Sequence, residues 1–148
     1  MAAVCWTKGG VRRVDNLSPA ERSEIMARVR SKNSRPELAV RKLLYSLGYR
    51  YRLHAKDLSG HPDIVFRKRR KVIFVHGCFW HRHGSCALAR LPKSKLDFWG
   101  PKLEGNKRRD GRNRRTLIKE GWRVLTIWEC QLKKIECLAF TLRRFLDA

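Results

Sequence analysis

Acidic residues are scarce in this chain. Its 148 residues carry 13 Asp plus Glu against 35 Lys plus Arg, a formal net charge of +22. That imbalance sets up a positive field whose natural partners are polyanions, DNA and RNA above all, although a ribosome-associated or merely adhesive basic protein would share it. No apolar run approaches the roughly 18 residues of a membrane span, so no spanning helix is expected. The opening stretch MAAVCWTKGG lacks the apolar core of a signal peptide, which points to an intracellular chain. Paired Cys-x-x-Cys motifs are missing, and the cysteines number five, an odd count. In a reducing compartment such cysteines are metal ligands or free thiols rather than a disulfide framework. No internal repeat or low-complexity linker divides the chain, and 43% hydrophobic residues suffice for one compact domain with a real core.

Residues 1–17 are polar and aperiodic and read as a flexible arm ahead of a domain spanning 18–148. Ser18-Pro19-Ala20-Glu21 has the form of a capping box with proline at the first helical position, opening a helix with Ile25, Met26 and Val29 on one side. Ser34-Arg35-Pro36-Glu37 repeats the pattern, and Val40, Leu43, Leu44 and Leu47 follow at helical spacing up to a stop at Gly48. Tyr49, Tyr51 and Leu53 alternate with polar residues as in a half-buried strand. Gly60-His61-Pro62 punctuates, Asp63 to Phe66 reads as a second strand, the basic run Arg67 to Lys71 as a turn, and Val72 to Val75 as a third strand. Gly121 ends a helix containing Leu117 and Ile118, and Trp122 to Trp128 forms a fourth strand. Ile135, Leu138, Ala139, Leu142, Phe145 and Leu146 mark a strongly amphipathic last helix. No element is defined between Cys86 and Asn106. The order predicts an α/β sandwich with a mixed sheet.

The chemistry is concentrated between Pro62 and Cys86, where Asp63 is followed by the run HGCFWHRHGSC. Cys78, His83 and Cys86 supply three soft or borderline ligands on one tight loop, and a tetrahedral structural zinc site needs a fourth. Cys130, Cys137, Cys5, His76 and His81 are the candidates. Cys130 is the best placed, because it follows the fourth strand directly, whereas Cys137 sits beside the apolar face of the last helix, where cysteine is usually a small core residue. Many nucleases follow a metal-binding aspartate with an acidic-x-lysine triplet on the next strand. Here that position reads Phe74-Val75-His76, and an isolated Asp63 in a proline-flanked turn is ordinarily structural. Glu37 likewise has a structural reading, as the reciprocal partner of Ser34 in a capping box. His54 and His61 carry no constellation.

Taken together, these segments resemble the very short patch repair (Vsr) endonucleases, which nick DNA at T:G mismatches. The resemblance rests on Met26 to Asn33 with Glu37, on Pro62 to Phe66, on Val72 to His81, on Phe98-Trp99, on Asn106 with Arg109-Asp110, and on Gly121 to Cys130. The segments occur in family order from about residue 20 onward, and HGCFWH together with the late WEC is the most specific part. The resemblance implies a restriction-endonuclease-like fold, a catalytic Mg2+ and a separate structural Zn2+. By position Asp63 and the backbone carbonyl of Val75 would hold the magnesium, the carbonyl replacing the missing second carboxylate. His76 and His81 would contact the phosphate and the attacking water, with His81 as general base, Asp110 orienting it and Glu37 supporting the metal's water shell. Cys78, His83, Cys86 and Cys130 would hold zinc. Phe79, Trp80 and Trp99 would wedge into the base stack beside the mismatch, Met26 would enter from the other groove, and Lys102 would read the mismatched bases. The expected partner is double-stranded DNA carrying a T:G mismatch, with no membrane, a monomeric enzyme, mismatch-repair proteins as further partners, and a bacterial, cytoplasmic location on the nucleoid.

Two departures from the family pattern stand out. The segment Arg82 to Cys86 has one residue more before the second cysteine than the best-known pattern, and Gly100-Pro101 adjoins Lys102. A restriction-like nuclease indifferent to mismatches, or a basic zinc module that only binds nucleic acid, are the alternatives. The module would have no use for Asp63, His76, His81 and Asp110 together.

Overall fold

A computed structural model describes residues 18–28 and 32–148. The expected N-terminal arm, Cys5 and Val29 lie outside the described residues. Two compact units are present, the second spanning Lys32–Ala148. The first contributes helix α1, Pro19–Ala27, and Met26 lies on it. Its start is the expected capping box: Ser18 Oγ accepts from the Glu21 amide at 3.3 Å, and the Ser18 amide donates to the Glu21 carboxylate at 2.8 Å.

The second unit is built on a four-stranded sheet in the order β1-β2-β3-β4. Its strands are β1 (Arg52–Leu53), β2 (Ile64–Phe66), β3 (Lys71–His76) and β4 (Arg123–Trp128). The first two pairings are antiparallel, and β3 pairs with β4 in parallel, so the sheet is mixed as expected. Helices α2 (Arg35–Ser46) and α4 (Ile135–Asp147) cover one face, and α3 (Leu96–Lys119) makes the crossover between the parallel strands. The strand period of two divides the core. Ile64, Phe66, Ile73 and Ile127 face Val40, Leu44, Leu138, Leu142 and Leu146, while Val65 and Val72 face Leu117 and Trp122.

Four details differ from the sequence reading. The first strand is only two residues long, because Tyr49 and Tyr51 pack edge-on against Phe66 and direct their hydroxyls to Asp147 and the Arg41 carbonyl. Lys71 belongs to β3 rather than to the turn. It is buried, and its ammonium donates to the Leu146 and Ala148 carbonyls at 2.9 and 2.6 Å, a hydrogen-bonded exit for a charge on an inward-facing position. Ile135, the first residue of α4, is left 46% exposed. The stretch without a predicted element contains a short 3-10 turn, Ala87–Ala89, and then the first ten residues of α3, which continues through Pro101.

Helix α3 positions the site. Leu103, Asn106, Asp110, Asn113 and Leu117 recur at the spacing of one helix face, with the two leucines buried at its ends and three polar residues between them. Asn113 is held by the 59–60 turn: Ser59 donates to it at 3.2 Å, and a Cβ on Gly60 would come within 2.9 Å of the Asn113 Cβ. Gly60 also has φ of +76°, so this turn requires glycine twice over.

Candidate active site

Strand β3 runs out at His76 and delivers the loop 77–86 over the end of the sheet. Three groups of metal-type ligands gather there and along the neighbouring α2: Glu37, His54 and Asp63; His76, His81 and Asp110; and Cys78, His83, Cys86 and Cys130. Within each group the ligand atoms all lie within 4.8 Å of one another.

Asp63 stands at the entrance to β2, and its carboxylate accepts from the Val75 amide at 2.8 Å. Residue 75 of β3 is thereby held beside that carboxylate. Burial pushes the Asp63 carboxyl up to about 6; the Val75 hydrogen bond opposes this, and the nearby Glu37 charge adds to it. Glu37 is 2% exposed. Ser34 does accept from the Glu37 amide, at 3.4 Å, but the carboxylate does not return to close a capping box. It turns inward instead, to the Arg41 guanidinium and to His54 Nε2 at 3.3 Å, because an ion pair inside outweighs a solvated cap. His54, read from sequence as incidental, thus stands beside the two carboxylates, and Arg41 adds a charge partner that sequence reading did not single out. Two carboxylates this close, largely withdrawn from solvent, are a donor set that suits a hard divalent cation.

The second group forms a dyad with a stacked companion. His81 Nδ1 meets Asp110 Oδ2 at 2.5 Å, which leaves Nε2 as the free ring nitrogen. His76 lies parallel to His81 with ring centroids 3.8 Å apart. Burial lowers the His76 imidazole to about 4, and the His81 charge pushes the same way. His76 is therefore neutral at ordinary pH.

In the third group His83 Nδ1 lies 3.5 Å from Cys78 Sγ and 3.4 Å from Cys130 Sγ. A tetrahedral zinc with Zn–S near 2.3 Å and Zn–N near 2.0–2.1 Å sets adjacent sulfur–nitrogen edges at roughly 3.5 Å. The donor set and its spacing fit that ion. Burial pushes the Cys78 thiol up to about 12 and raises Cys130 as well. Cys137 is exposed on α4, in neither the tetrad nor the core. His83 also stacks on Trp128 with centroids 4.2 Å apart, which ties the loop to the end of β4.

Helix α3 clamps the loop at three further points. Asn106 donates to the Trp80 carbonyl at 3.1 Å, Arg82 pairs with Glu104 at 3.4 Å, and Asp110 holds His81. Beside these contacts lies an aromatic cluster of Phe79, Trp80, Phe98 and Trp99, with the Lys102 ammonium 5.2–5.8 Å from the Phe98, Trp99 and Trp80 centroids. Trp99 differs from the expectation of a presented wedge. It is 6% exposed and packs under Phe79 and Trp80, which are half-buried, whereas Phe98 is 55% exposed. A tryptophan one position along α3 faces inward because the helix turns by about 100° per residue.

A mixed sheet with this ligand-rich end has the fold of an endonuclease catalytic domain. The catalytic domain of the homing endonuclease I-Bth0305I is matched over 94% of its length by 76% of this chain, with a TM-score of 0.52 and 19% identity, a likeness of fold. Sequence carries the assignment further. The family described as DNA mismatch endonuclease Vsr matches residues 14–88. The type II nicking enzyme V.XorIIP of Xanthomonas oryzae is 58% identical over 133 residues, covering 90% of this chain and 97% of the relative. The DNA mismatch endonuclease Vsr of Escherichia coli is 40% identical over 119 residues, covering 80% and 76%. The chain belongs to the Vsr endonuclease family, and it is a DNA-cleaving hydrolase. Among the described residues no helix is long and apolar enough to cross a membrane.

Proposed function

We propose that this enzyme nicks one strand of double-stranded DNA at T:G mismatches, 5′ to the mismatched thymine, as a monomer acting in very short patch repair. The observation that carries the reading is a run of contacts along the end of β3: Asp63 accepts from the Val75 amide at 2.8 Å, and His76, the next residue, stacks on the His81 of the His81–Asp110 dyad. The names of relatives support it, one a mismatch endonuclease and another a nicking enzyme.

In this reading Asp63 and the Val75 carbonyl hold Mg2+, with Glu37 supporting its water shell. Magnesium supplies neutralisation of the phosphate and stabilisation of charge on the departing oxygen. The chain's own residues do the rest. Asp110 fixes the His81 tautomer so that Nε2 can take the proton of the attacking water, a contribution of roughly 10²–10⁴ in rate. Neutral His76, stacked against His81, offers a nitrogen to the phosphate. Cys78, His83, Cys86 and Cys130 would hold zinc and fix the loop that carries both the base and the aromatics. Phe79 and Trp80 face the DNA as wedges, Trp99 supports them from below, Lys102 reads the mismatched bases and Met26 enters from the opposite groove. Unstacking costs a few kcal/mol and least where pairing is imperfect, so insertion itself favours the mismatch.

Two expected outcomes follow from particular residues. Trp80→Ala should weaken binding to a T:G duplex by about 1–3 kcal/mol, the range of a lost base–aromatic stack, with a smaller loss on matched duplex. Because Trp80 is only half-buried, its melting temperature should fall by no more than about 5 °C, short of the roughly 3–5 kcal/mol of a core aromatic. Parallel melts and binding titrations decide this, and a large melting drop with unchanged discrimination would refute the wedge. The second outcome concerns pH. Asp63 must lose its proton to bind a cation, and its carboxyl titrates at about 6. Protons therefore compete with magnesium on the acid side. The half-saturating Mg2+ concentration should be flat above about pH 7 and rise about tenfold per unit below about pH 6. A pH-independent value measured across that range would remove Asp63 from the metal site.

A further inference from the structure

Beside the His76–His81–Asp110 group lies a cleft of about 240 Å³ between α3 and the ends of β3 and β4. Its wall on α3 is one helix face, Lys107, Asp110, Gly111 and Arg114, at positions i, i+3, i+4 and i+7. Phe74 and Trp128 contribute an apolar floor. Arg82 also borders the cleft, but Glu104 pairs with it at 3.4 Å. Lys107 and Arg114 have no such partner among the described residues, and both are exposed. The cleft thus holds two cations without an ion-pair partner among the described residues, one on each side of the carboxylate that orients the dyad.

We propose that this cleft seats the strand being cut, with Lys107 and Arg114 gripping phosphates on either side of the scissile bond and the apolar floor receiving the sugars between them. The proposal rests on the nuclease reading above and adds the residues that set where the strand lies against His81. Positions 107 and 114 are separated by roughly 10.5 Å along the helix axis, on the order of three nucleotide steps at a duplex rise of about 3.4 Å per step. A single-sign pair at that spacing, opening onto the reacting groups, is complementary to a phosphodiester strand. The outward face of α3 provides an internal control: Arg112 and Arg115 line a separate groove that does not contain His76, His81 or Asp110.

The test uses Lys107→Gln, Arg114→Gln, the double variant, and Arg112→Gln with Arg115→Gln as controls, assayed by nicking kinetics and by equilibrium binding to the same duplex over a salt series. Each cleft variant should raise KM about 3- to 10-fold and lower the salt slope of binding by about one, with kcat within about twofold and melting unchanged. The double variant should multiply the single effects, and Lys107→Arg should restore KM. Lys107 borders both grooves, so Arg114→Gln is the cleaner of the two. Unchanged KM and slope in Arg114→Gln would overturn the proposal. So would equal losses in the control variants, which would mean that α3 contributes only a diffuse positive field. Failure of the nuclease reading would look different: the unsubstituted chain would nick no duplex, while the binding slopes would still report on the cleft.

Discussion

Asp63→Asn is expected to reduce nicking by at least about 10³-fold while leaving the protein folded and able to bind DNA. The asparagine oxygen can still accept from the Val75 amide, so the one hydrogen bond that anchors this side chain survives the change. What is lost is the negative charge that a cation needs. A metal contribution of about 4 kcal/mol to the transition state corresponds to that factor. Stability should not fall and should rise slightly, because burial already disfavours the ionised form: Asp63 titrates near 6 when folded and near the ordinary carboxylate value of 3.8 when unfolded. A group whose folded value is raised loses stability as pH climbs from its unfolded value to its folded one and carries the full penalty above both, so removing its charge relieves that penalty at neutral pH. Rates, melting curves and duplex binding measured together check this. Residual nicking within tenfold of the parent would show that Asp63 is not a metal ligand.

The largest expected effect on stability belongs to Cys130. If the tetrad holds the proposed zinc, one per chain, Cys130→Ala should release it and lower the melting temperature by about 10–20 °C. Cys130 follows β4 directly, while its partners Cys78, His83 and Cys86 all sit on the 77–86 loop. The centre is therefore the tie between the end of the sheet and the loop carrying His81. For a domain of this size about 1 kcal/mol shifts melting by roughly 2–4 °C, so the expected fall corresponds to a loss of about 5 kcal/mol, a fraction of what structural zinc sites contribute. Metal analysis with calorimetry checks it. A purified chain that is folded and active with no stoichiometric zinc would end the assignment. Exposed Cys137 serves as the control, since its removal should change neither quantity.

Sequence patterns exposed the sheet and the Cys/His loop for the same physical reason: their residues are local. Val72 to Val75 is a contiguous apolar strand, and Cys78, His83 and Cys86 fall within one short loop. Helix α3 was legible only at its end. Its inner face reads Trp99, Leu103, Asn106, Asp110, Asn113 and Leu117, so polar groups that serve the site occupy the positions where periodicity looks for apolar ones. Gly100, Pro101, Gly105 and Gly111 weaken the pattern further. His54 and Arg41 were illegible for another reason. Their roles come from Glu37 turning away from its cap, and only tertiary packing brings α2 against the 54–63 segment. The spacing of Glu37 and Arg41, four apart on one helix, is the one signal that sequence offered. Trp99 illustrates the limit of carrying a role across by motif. The aromatic pair Phe98-Trp99 could be read, but which ring is buried depends on the rotation of α3.

The central claim is mismatch-dependent nicking by the Asp63 and His81–Asp110 pair. Its most direct measurement is single-turnover cleavage of two duplexes that differ only in T:G against T:A, each strand labelled separately, with and without Mg2+. The expected result is a single magnesium-dependent nick 5′ to the mismatched thymine, at least about 10²-fold faster than any cut in the matched duplex. Equal cleavage of both duplexes, or cutting of both strands, would contradict it.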